Sequence, residues 1–274
     1  MGTGLFPYAP GTPNRTGSGG GMRALITRPI EDTGGLAAAL SLRGVTPLSE
    51  PLLTIQPVPH PRMTLDGVQA VLLTSANGAR AFGRATARRD LAVFAVGDAT
   101  AQAARALGFA EIASAGGNVD DLTELVTARL DPRRGALLHA AGSAVAGDLA
   151  GRLTGAGFQV HRSVLYDAAP VAALTEAAVV GLRRRQIAAA FFFSPRTAAH
   201  FVTLAGAARV DEACRHVAAF SLSPAVAAQL SALSWGQIIV AAAPEQESLL
   251  VAFDGFLANA RAATNNTAEG RMPE

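Results

Sequence analysis

Residues 69–82 read QAVLLTSANGARAF, and this stretch carries the pattern from which the fold is predicted. An apolar run of strand length, 69–74, ends in small polar residues and leads directly into helical spacing at 77–87. An apolar strand followed at once by a helix is the repeating unit of a parallel sheet. FFSPRTAAHF at 192–201 has the same form, and FAVGDATAQAARAL (94–107) is matched by FSLSPAVAAQLSAL (220–233). Two matched pairs in the same order favour an internal duplication over chance similarity.

The same alternation extends along the chain in both directions from this stretch. Short apolar runs predict strands at 23–27, 45–49, 69–74, 91–96, 110–113, 136–140, 158–165, 187–193, 216–221 and 237–241. Alanine-rich segments predict helices at 32–43, 77–87, 99–107, 119–130, 145–155, 172–185, 196–207, 224–232 and 245–260. The sequence therefore predicts an α/β protein with parallel sheets.

Two crossings divide this body into two domains. A proline-rich stretch interrupts the alternation after the second strand, at Pro51, Pro57, Pro59 and Pro61. Such prolines stiffen an extended connection and are excluded from central strands. The segment HRSVLYDAAP, 161–170, provides the second crossing. The predicted fold is two parallel-sheet α/β domains of Rossmann or flavodoxin type, one inserted in the other and joined by two extended connections. The first domain is expected at 22–56 and 169–260, and the inserted domain at 57–168.

The two ends of the chain differ in composition from this body. Residues 1–21 are dominated by Gly, Pro, Ser and Thr and lack the charged start and apolar core of a secretory signal. Residues 261–274 are similar in character. Both segments are therefore predicted to be disordered tails.

The composition excludes several kinds of chemistry. All 23 basic residues are arginine, so there is no lysine for a Schiff base, for pyridoxal phosphate or for a Walker-type phosphate loop. A single cysteine, Cys214, excludes a disulfide framework and a CxxC redox pair, which favours a reduced compartment and a cytoplasmic location. With a net charge of +2, two Tyr and one Trp, nucleic-acid binding is not expected. Because no apolar run reaches about 18 residues, a membrane span is not expected either.

Small polar residues recur where a predicted strand leads into a helix. A helix start has unpaired N–H groups and a partial positive charge, so several starts along one sheet edge would suit a ligand with several carboxylates. Ser, Asp and Asn are also ordinary helix caps, and this alternative stays open for each of them. The turns are 74–78, 97–100, 141–143, 194–197 and 221–224.

No conventional catalytic set is present in the sequence. The histidines form no HExxH motif or close pair, metal binding has no support, and the glycines do not give a dinucleotide-binding GxGxxG. Tyr166 stands out because it is the only tyrosine in the predicted folded body and lies at the second crossing. Its phenol could donate a hydrogen bond to a leaving oxygen. The alternative is an amphipathic residue at a strand end.

In these motifs the sequence resembles the uroporphyrinogen-III synthase family. The resemblance covers most of 23–257 and rests, in order, on RALITRP, VLLTSANGARAF, VFAVGDATAQAARALGF, VLYDAAP, FFFSPRT, FSLSPAVAAQL and WGQIIVAAAPEQESLL. It implies two α/β domains, the first built from both ends of the chain and the second inserted. It also implies a lyase that cyclises the linear tetrapyrrole hydroxymethylbilane, with loss of water and inversion of the last pyrrole ring, in haem biosynthesis.

The resemblance also implies roles for individual residues. Tyr166 matches the tyrosine proposed to help the hydroxyl leave, and Arg28 could meet a substrate carboxylate. Where many relatives have threonines in the last turn, this chain has Ala225 and Val226. A hydroxyl role at that turn is therefore either not general in the family or is taken over in this chain by Ser223. The other implied substrate-binding positions are Ser75, Asn77, Gly97, Thr100, Gly142, Ser194 and Pro195.

No metal or organic cofactor is implied, and the expected partner is a small-molecule linear tetrapyrrole carrying eight carboxylates. A monomer is expected, with transient contact to the preceding pathway enzyme. Catalysis is expected to depend mainly on folding the flexible substrate so that its ends meet. The alternative function is a noncatalytic, two-lobed α/β protein that binds a small polycarboxylate.

Overall fold

The computed structural model describes residues 21–59, 63–145 and 147–269. The chain divides into two compact units, Met1–Thr54 with Pro170–Glu274, and Ile55–Ala169. Each unit contains one sheet with helices against it. The predicted α/β class with parallel sheets is confirmed by this architecture.

The first unit combines an N-terminal and a C-terminal part of the chain. Its strands are β1 (Arg23–Ile26), β2 (Thr46–Ser49), β9 (Ile187–Phe192), β10 (Ala218–Ser221) and β11 (Gln237–Val240). Its helices are α1 (Gly34–Leu42), α6 (Glu176–Arg183), α7 (Pro195–Ala207), α8 (Pro224–Leu230) and α9 (Gln246–Glu269). The strand order is β11-β10-β9-β1-β2, and every neighbouring pair is parallel.

Alternating side chains of this sheet build two separate cores. Leu25 faces a cluster that contains the buried residues of α7 and α8. Ala24 and Ile26 face the opposite cluster, which contains the buried residues of α1 and Leu249 and Phe253 of α9. The nearly continuous apolar strands follow from this arrangement, since a parallel strand covered on both faces has no side exposed to water.

The second unit is a continuous segment with the same layered construction. Its strands are β3 (Leu53–Pro57), β4 (Val68–Leu73), β5 (Ala92–Ala95), β6 (Ile112–Ser114), β7 (Ala136–Gly142) and β8 (Val160–Pro170). Its helices are α2 (Ala76–Ala85), α3 (Asp98–Ala106), α4 (Val119–Arg129) and α5 (Leu149–Gly155). The strand order is β3-β8-β7-β4-β5-β6, and the pairs from β8 through to β6 are parallel.

The helices of the second unit also lie on two faces of its sheet. The buried side chains of α2 and Ala104 of α3 join one cluster with Val71 and Leu73. The buried side chains of α4 and α5 join the other cluster with Ala70 and Leu72. β4 and β7 lie at the centre of the sheet, and all seven residues of β7 are buried.

Two features differ from the sequence-based prediction. β3, which ends at Pro57, was predicted only as part of an extended connection, yet it forms an edge strand beside β8. An edge strand tolerates proline because one of its sides carries no ladder hydrogen bonds. α9 continues to Glu269, whereas disorder was expected from 261. The rest of the predicted tails, 1–20 and 270–274, lies outside the described residues, as does Pro61.

Candidate active site

A pocket lies at the point where the second unit's chain reverses its direction across the sheet. From β4 the chain proceeds through α2 to β5, whereas from β7 it proceeds through α5 to β8 on the other side. Open α/β sheets bind their ligands at such a switch point, outside the carboxyl ends of the strands. The pocket has a volume of about 320 Å³ and is lined by Thr74, Ser75, Val96, Asn118, Val119, Ala144, Val145 and Tyr166.

Tyr166 and Ser75 meet in this pocket through their hydroxyl groups. The Tyr166 Oη atom lies 2.8 Å from Ser75 Oγ, although the residues are 91 positions apart. Ser75 is also the N-cap of α2, where its Oγ accepts a hydrogen bond from the Gly78 N–H at 3.0 Å. Only 8% of Tyr166 is exposed, and its ring packs in the core beneath α2. The phenol group is therefore held by a helix cap at the edge of an otherwise apolar core.

Gly142 lies directly against the Tyr166 ring. Gly142 is paired with Tyr166 in the sheet, and the register between β7 and β8 shifts immediately before this pair. A Cβ atom on Gly142 would lie 2.8 Å from Tyr166 Cζ and 2.9 Å from Cε2, which is too close for any side chain. The absence of a side chain at position 142 is thus what lets the phenol reach Ser75. Gly142, predicted as a substrate-binding residue, has a clear positioning role for Tyr166.

A buried histidine lies behind the pocket. His139 Nε2 is 3.3 Å from Thr74 Oγ1, and only 2% of His139 is exposed. Burial lowers the pKa of His139 to about 4, and the nearby charge of Arg162 acts in the same direction. The imidazole is therefore neutral at physiological pH. Arg162 itself donates from Nη2 to the carbonyl oxygens of Gly142 and Ser143, both at 2.7 Å.

The other predicted residues of the second unit lie at the starts of α2 and α3. Asn77, in the first turn of α2, accepts a hydrogen bond at Oδ1 from Arg80 Nη2 at 2.6 Å. Gly97 is the N-cap of α3, and a Cβ atom placed on it would meet no other atom within 4 Å. Thr100 is only 5% exposed and belongs to the buried face of α3. Of these three, Gly97 presents the most open backbone.

The predicted residues of the first unit follow β1, β9 and β10. Ser194 and Ser223 are the N-caps of α7 and α8, and each accepts a hydrogen bond from the N–H three residues ahead, at 3.2 Å and 3.4 Å. Pro195 occupies the first position of α7. Val226 is buried in the core, whereas Ala225 is exposed. The ordinary cap interaction is thus present at both serines.

Arg28 lies just past the end of β1. Its guanidinium carbon is 3.6 Å from the centroid of the Phe193 ring, and its Nη1 donates to Gln246 Oε1 at 2.8 Å. Burial lowers the pKa of Arg28, and the negative charge of Asp32 offsets part of that effect. The sequence motifs pointed to Arg28 but not to Phe193 or Gln246.

The residues of these sites that the sequence did not identify as candidates have one property in common. Thr74, Phe193 and Gln246 lie within the quoted motifs but are not distinguished there from their neighbours, and His139 lies outside those motifs. Each acquires its partner from a strand or helix distant in sequence. The position of Thr74 and Phe193 at the ends of apolar runs was the only available signal.

Within 21–59, 63–145 and 147–269, no group of three or more His, Cys, Asp or Glu side chains is arranged to hold a metal ion. In the same residues, no helix is both long enough and apolar enough to cross a membrane.

Comparisons with known proteins agree with this architecture. The chain is similar in structure to a uroporphyrinogen-III synthase from Helicobacter pylori, with a TM-score of 0.60 and 15% identity, over 86% of this chain and 99% of the other. It is also similar to a substituted uroporphyrinogen III synthase from Thermus thermophilus, with a TM-score of 0.52 and 19% identity, over 89% of this chain and 99% of the other. At such identities these likenesses show the shared fold.

A family comparison addresses function. The sequence matches none of the curated proteins with which it was compared. The family model described as "Uroporphyrinogen-III synthase HemD" matches residues 35–251, most of the chain. That match supports the synthase function predicted from the sequence motifs and does not support the alternative of a noncatalytic polycarboxylate-binding protein. The chain belongs to the uroporphyrinogen-III synthase family.

Proposed function

We propose that this protein acts as a hydro-lyase that converts hydroxymethylbilane to uroporphyrinogen III, and that Tyr166 assists the departure of the substrate hydroxyl. The observation that carries the proposal is the 2.8 Å contact between Tyr166 Oη and Ser75 Oγ inside the pocket. A hydroxyl donor fixed in a partly desolvated pocket is suited to a leaving oxygen.

The hydrogen bonds around Ser75 are compatible with a phenol O–H that donates to the substrate. Ser75 Oγ already accepts from the Gly78 N–H, and its own O–H can then donate to Tyr166 Oη. In that arrangement the phenol O–H is directed away from Ser75 and is available to the substrate. The cap of α2 thus supports the donor that the reaction requires.

The character of the pocket fits the reacting end of the substrate. None of the described residues that line it has a charged side chain, and Val96, Val119, Ala144 and Val145 are apolar. Such surroundings suit a pyrrole ring and its hydroxymethyl group better than a carboxylate. A hydrogen bond is also electrostatically stronger there than in water. The carboxylates of the substrate are therefore assigned to polar positions at the ends of other strands.

The proposed reaction begins with cleavage of the C–O bond of the hydroxymethyl group. The hydroxyl leaves as water with a proton, supported by the Tyr166 O–H, and the pyrrole N–H loses its proton to give a neutral azafulvene. The substituted carbon of the last ring then attacks this methylene carbon to form a spiro intermediate. Rearrangement inverts the last ring and closes the macrocycle. Water is the only product lost, and binding in a folded conformation brings the reacting ends together.

The test supplies hydroxymethylbilane, oxidises the product and separates the III isomer from the I isomer, which forms without catalysis. We expect the wild-type protein to yield mainly the III isomer. Tyr166→Phe should lower kcat by about 10- to 100-fold, equivalent to about 1.4–2.7 kcal/mol, because it removes only the hydroxyl donor. Tyr8→Phe is the matched control, since Tyr8 is the only other tyrosine in the sequence.

Two results would contradict the proposal. Equal isomer ratios with and without wild-type protein would remove the synthase function, while full activity of Tyr166→Phe would remove only the role of Tyr166. A cytoplasmic location and a monomeric state belong to the same proposal, as does transient contact with the enzyme that supplies the substrate. Light scattering during size-exclusion chromatography tests the monomer.

A further inference from the structure

Three segments of the first unit converge on Arg28. Ile26 of β1 is in register with Phe191 of β9, so the residues two positions further, Arg28 and Phe193, emerge side by side from the sheet. The Arg28 guanidinium carbon lies 3.6 Å from the centre of the Phe193 ring. Gln246, the first residue of α9, accepts from Arg28 Nη1 at 2.8 Å, across 218 positions of sequence.

These contacts fix the guanidinium in position while leaving its charge uncompensated by either contact. Phe193 offers its ring and Gln246 a neutral amide oxygen. Stacking and one hydrogen bond define the plane of the guanidinium, whose five N–H groups match the two oxygens of a carboxylate. Burial lowers the pKa of Arg28 more than the negative charge of Asp32 raises it, so the cation is poorly compensated. An anion at this position would therefore be stabilised.

The location of Arg28 also favours a ligand-binding role. From β1 the chain proceeds through α1, which packs on one face of the sheet, and from β9 it proceeds through α7, which packs on the other face. β1 and β9 are neighbours, so Arg28 and Phe193 stand at the switch point of this unit. Ligands of open α/β sheets bind at such points.

We infer that Arg28, Phe193 and Gln246 form a subsite that binds one carboxylate of the substrate. Assigning that carboxylate to hydroxymethylbilane rests on the proposed function. Arg28 supplies the charge and the paired N–H donors, Phe193 supports the plane of the guanidinium, and Gln246 holds one Nη. The competing explanation is that Arg28 only ties β1 to α9 and so stabilises the fold.

Gln246→Glu separates these two explanations. The substitution changes almost no volume, places a carboxylate against Arg28 and adds a negative charge at the start of a helix, where it is favourable. A purely structural tie would become stronger, so the melting temperature would hold or rise and KM would not change. A carboxylate subsite would be blocked by its own new ion pair. We expect KM for hydroxymethylbilane to rise about tenfold, with kcat nearly unchanged and no loss of thermal stability.

Arg28→Met supplies the second variant, and Arg43→Met is its matched control. Arg43 also ties the N-terminal part of this unit to α9, through a bidentate ion pair with Asp254. Loss of either arginine therefore removes a contact with α9. Comparing the melting temperatures of the two variants shows how much of any effect comes from lost stability alone. Only Arg28→Met should raise KM. Asp32→Asn should lower KM slightly, because it removes the negative charge that acts on Arg28.

Binding of uroporphyrin III, the oxidised octacarboxylate product, gives a readout besides turnover. If the wild type makes the III isomer but Gln246→Glu and Arg28→Met keep wild-type KM and porphyrin affinity, the subsite is overturned and the synthase function stands. If the wild type makes no III isomer yet binds uroporphyrin III, and both variants weaken that binding about tenfold, the subsite stands and the synthase function fails. A wild type that neither turns over substrate nor binds porphyrin overturns both.

Discussion

Gly142→Ala should show whether activity depends on the position of the Tyr166 hydroxyl, since this variant keeps the hydroxyl but displaces it. The added methyl group would lie 2.8 Å from Tyr166 Cζ, whereas carbon atoms in ordinary contact are about 3.5–4.0 Å apart. The ring must therefore move by about 0.7–1.2 Å, or β7 must shift. Either movement carries the phenol oxygen away from Ser75 Oγ, and the present separation of 2.8 Å leaves little room before the hydrogen bond is lost.

Two energies follow from this displacement. Overpacking of a buried site costs about 1–3 kcal/mol, and loss of a neutral hydrogen bond adds about 0.5–1.5 kcal/mol. We therefore expect the free energy of unfolding of Gly142→Ala to fall by about 1.5–4.5 kcal/mol, measured by urea denaturation. The rate of III-isomer formation should fall by about 10- to 100-fold, as for Tyr166→Phe. In the double variant Gly142→Ala with Tyr166→Phe, the rate effects should not add, because both act through the same hydroxyl.

Gly97→Ala is the matched control for this substitution. Gly97 was also predicted to bind substrate, but a Cβ there would meet no atom within 4 Å, and its φ of −162° suits any residue. We expect its unfolding free energy to change by less than about 1 kcal/mol. Wild-type stability and turnover in Gly142→Ala would refute the positioning role of Gly142, as would rate losses that simply multiply in the double variant.

Two further predictions concern buried titratable groups. Burial lowers the pKa of His139 to about 4, so between about pH 6.5 and about pH 4 the unfolded chain binds a proton that the folded protein does not. The free energy of unfolding should therefore fall as the pH is lowered through that range. The loss should total about 3 kcal/mol and be absent in His139→Gln, and urea midpoints that track each other for both proteins from neutral pH to about pH 4.5 would contradict it. The Cys214 thiol is fully buried and its pKa is raised to about 12, mainly by burial, so iodoacetamide at about pH 8 should label it only after denaturation. Rapid labelling of the folded protein, detected by mass spectrometry, would show that the thiol is accessible.

The helix starts show how far local sequence information reaches. Ser75, Ser194 and Ser223 were identified as helix caps or ligand-binding residues, and the structure places each at an N-cap with its cap hydrogen bond. A cap interaction joins residues three positions apart, so it can be predicted from sequence. The sequence alone left open which of these serines also contacts a side chain from a distant strand. Ser75 does so, because β8 brings Tyr166 to it from 91 positions away.

β3 and the end of α9 mark where local patterns mislead. Prolines lowered the strand prediction at 53–57, but whether a proline is tolerated depends on the strand's place at the sheet edge, which the pairing with β8 decides. Conversely, the polar C-terminal segment was predicted as a tail from its composition, yet α9 continues through it to Glu269.

The sequence by itself determined the alternation of strands and helices, the α/β class and the positions where polar turns lead into helices. These properties depend on the periods of 2 and 3.6 residues and on contacts within a few positions. The tertiary structure alone decided that Gly142 faces the Tyr166 ring, that His139 is buried behind Thr74 and that Phe193 and Gln246 hold Arg28. The physical reason is strand order and register, which place residues up to 218 positions apart in contact and leave no local pattern in the sequence.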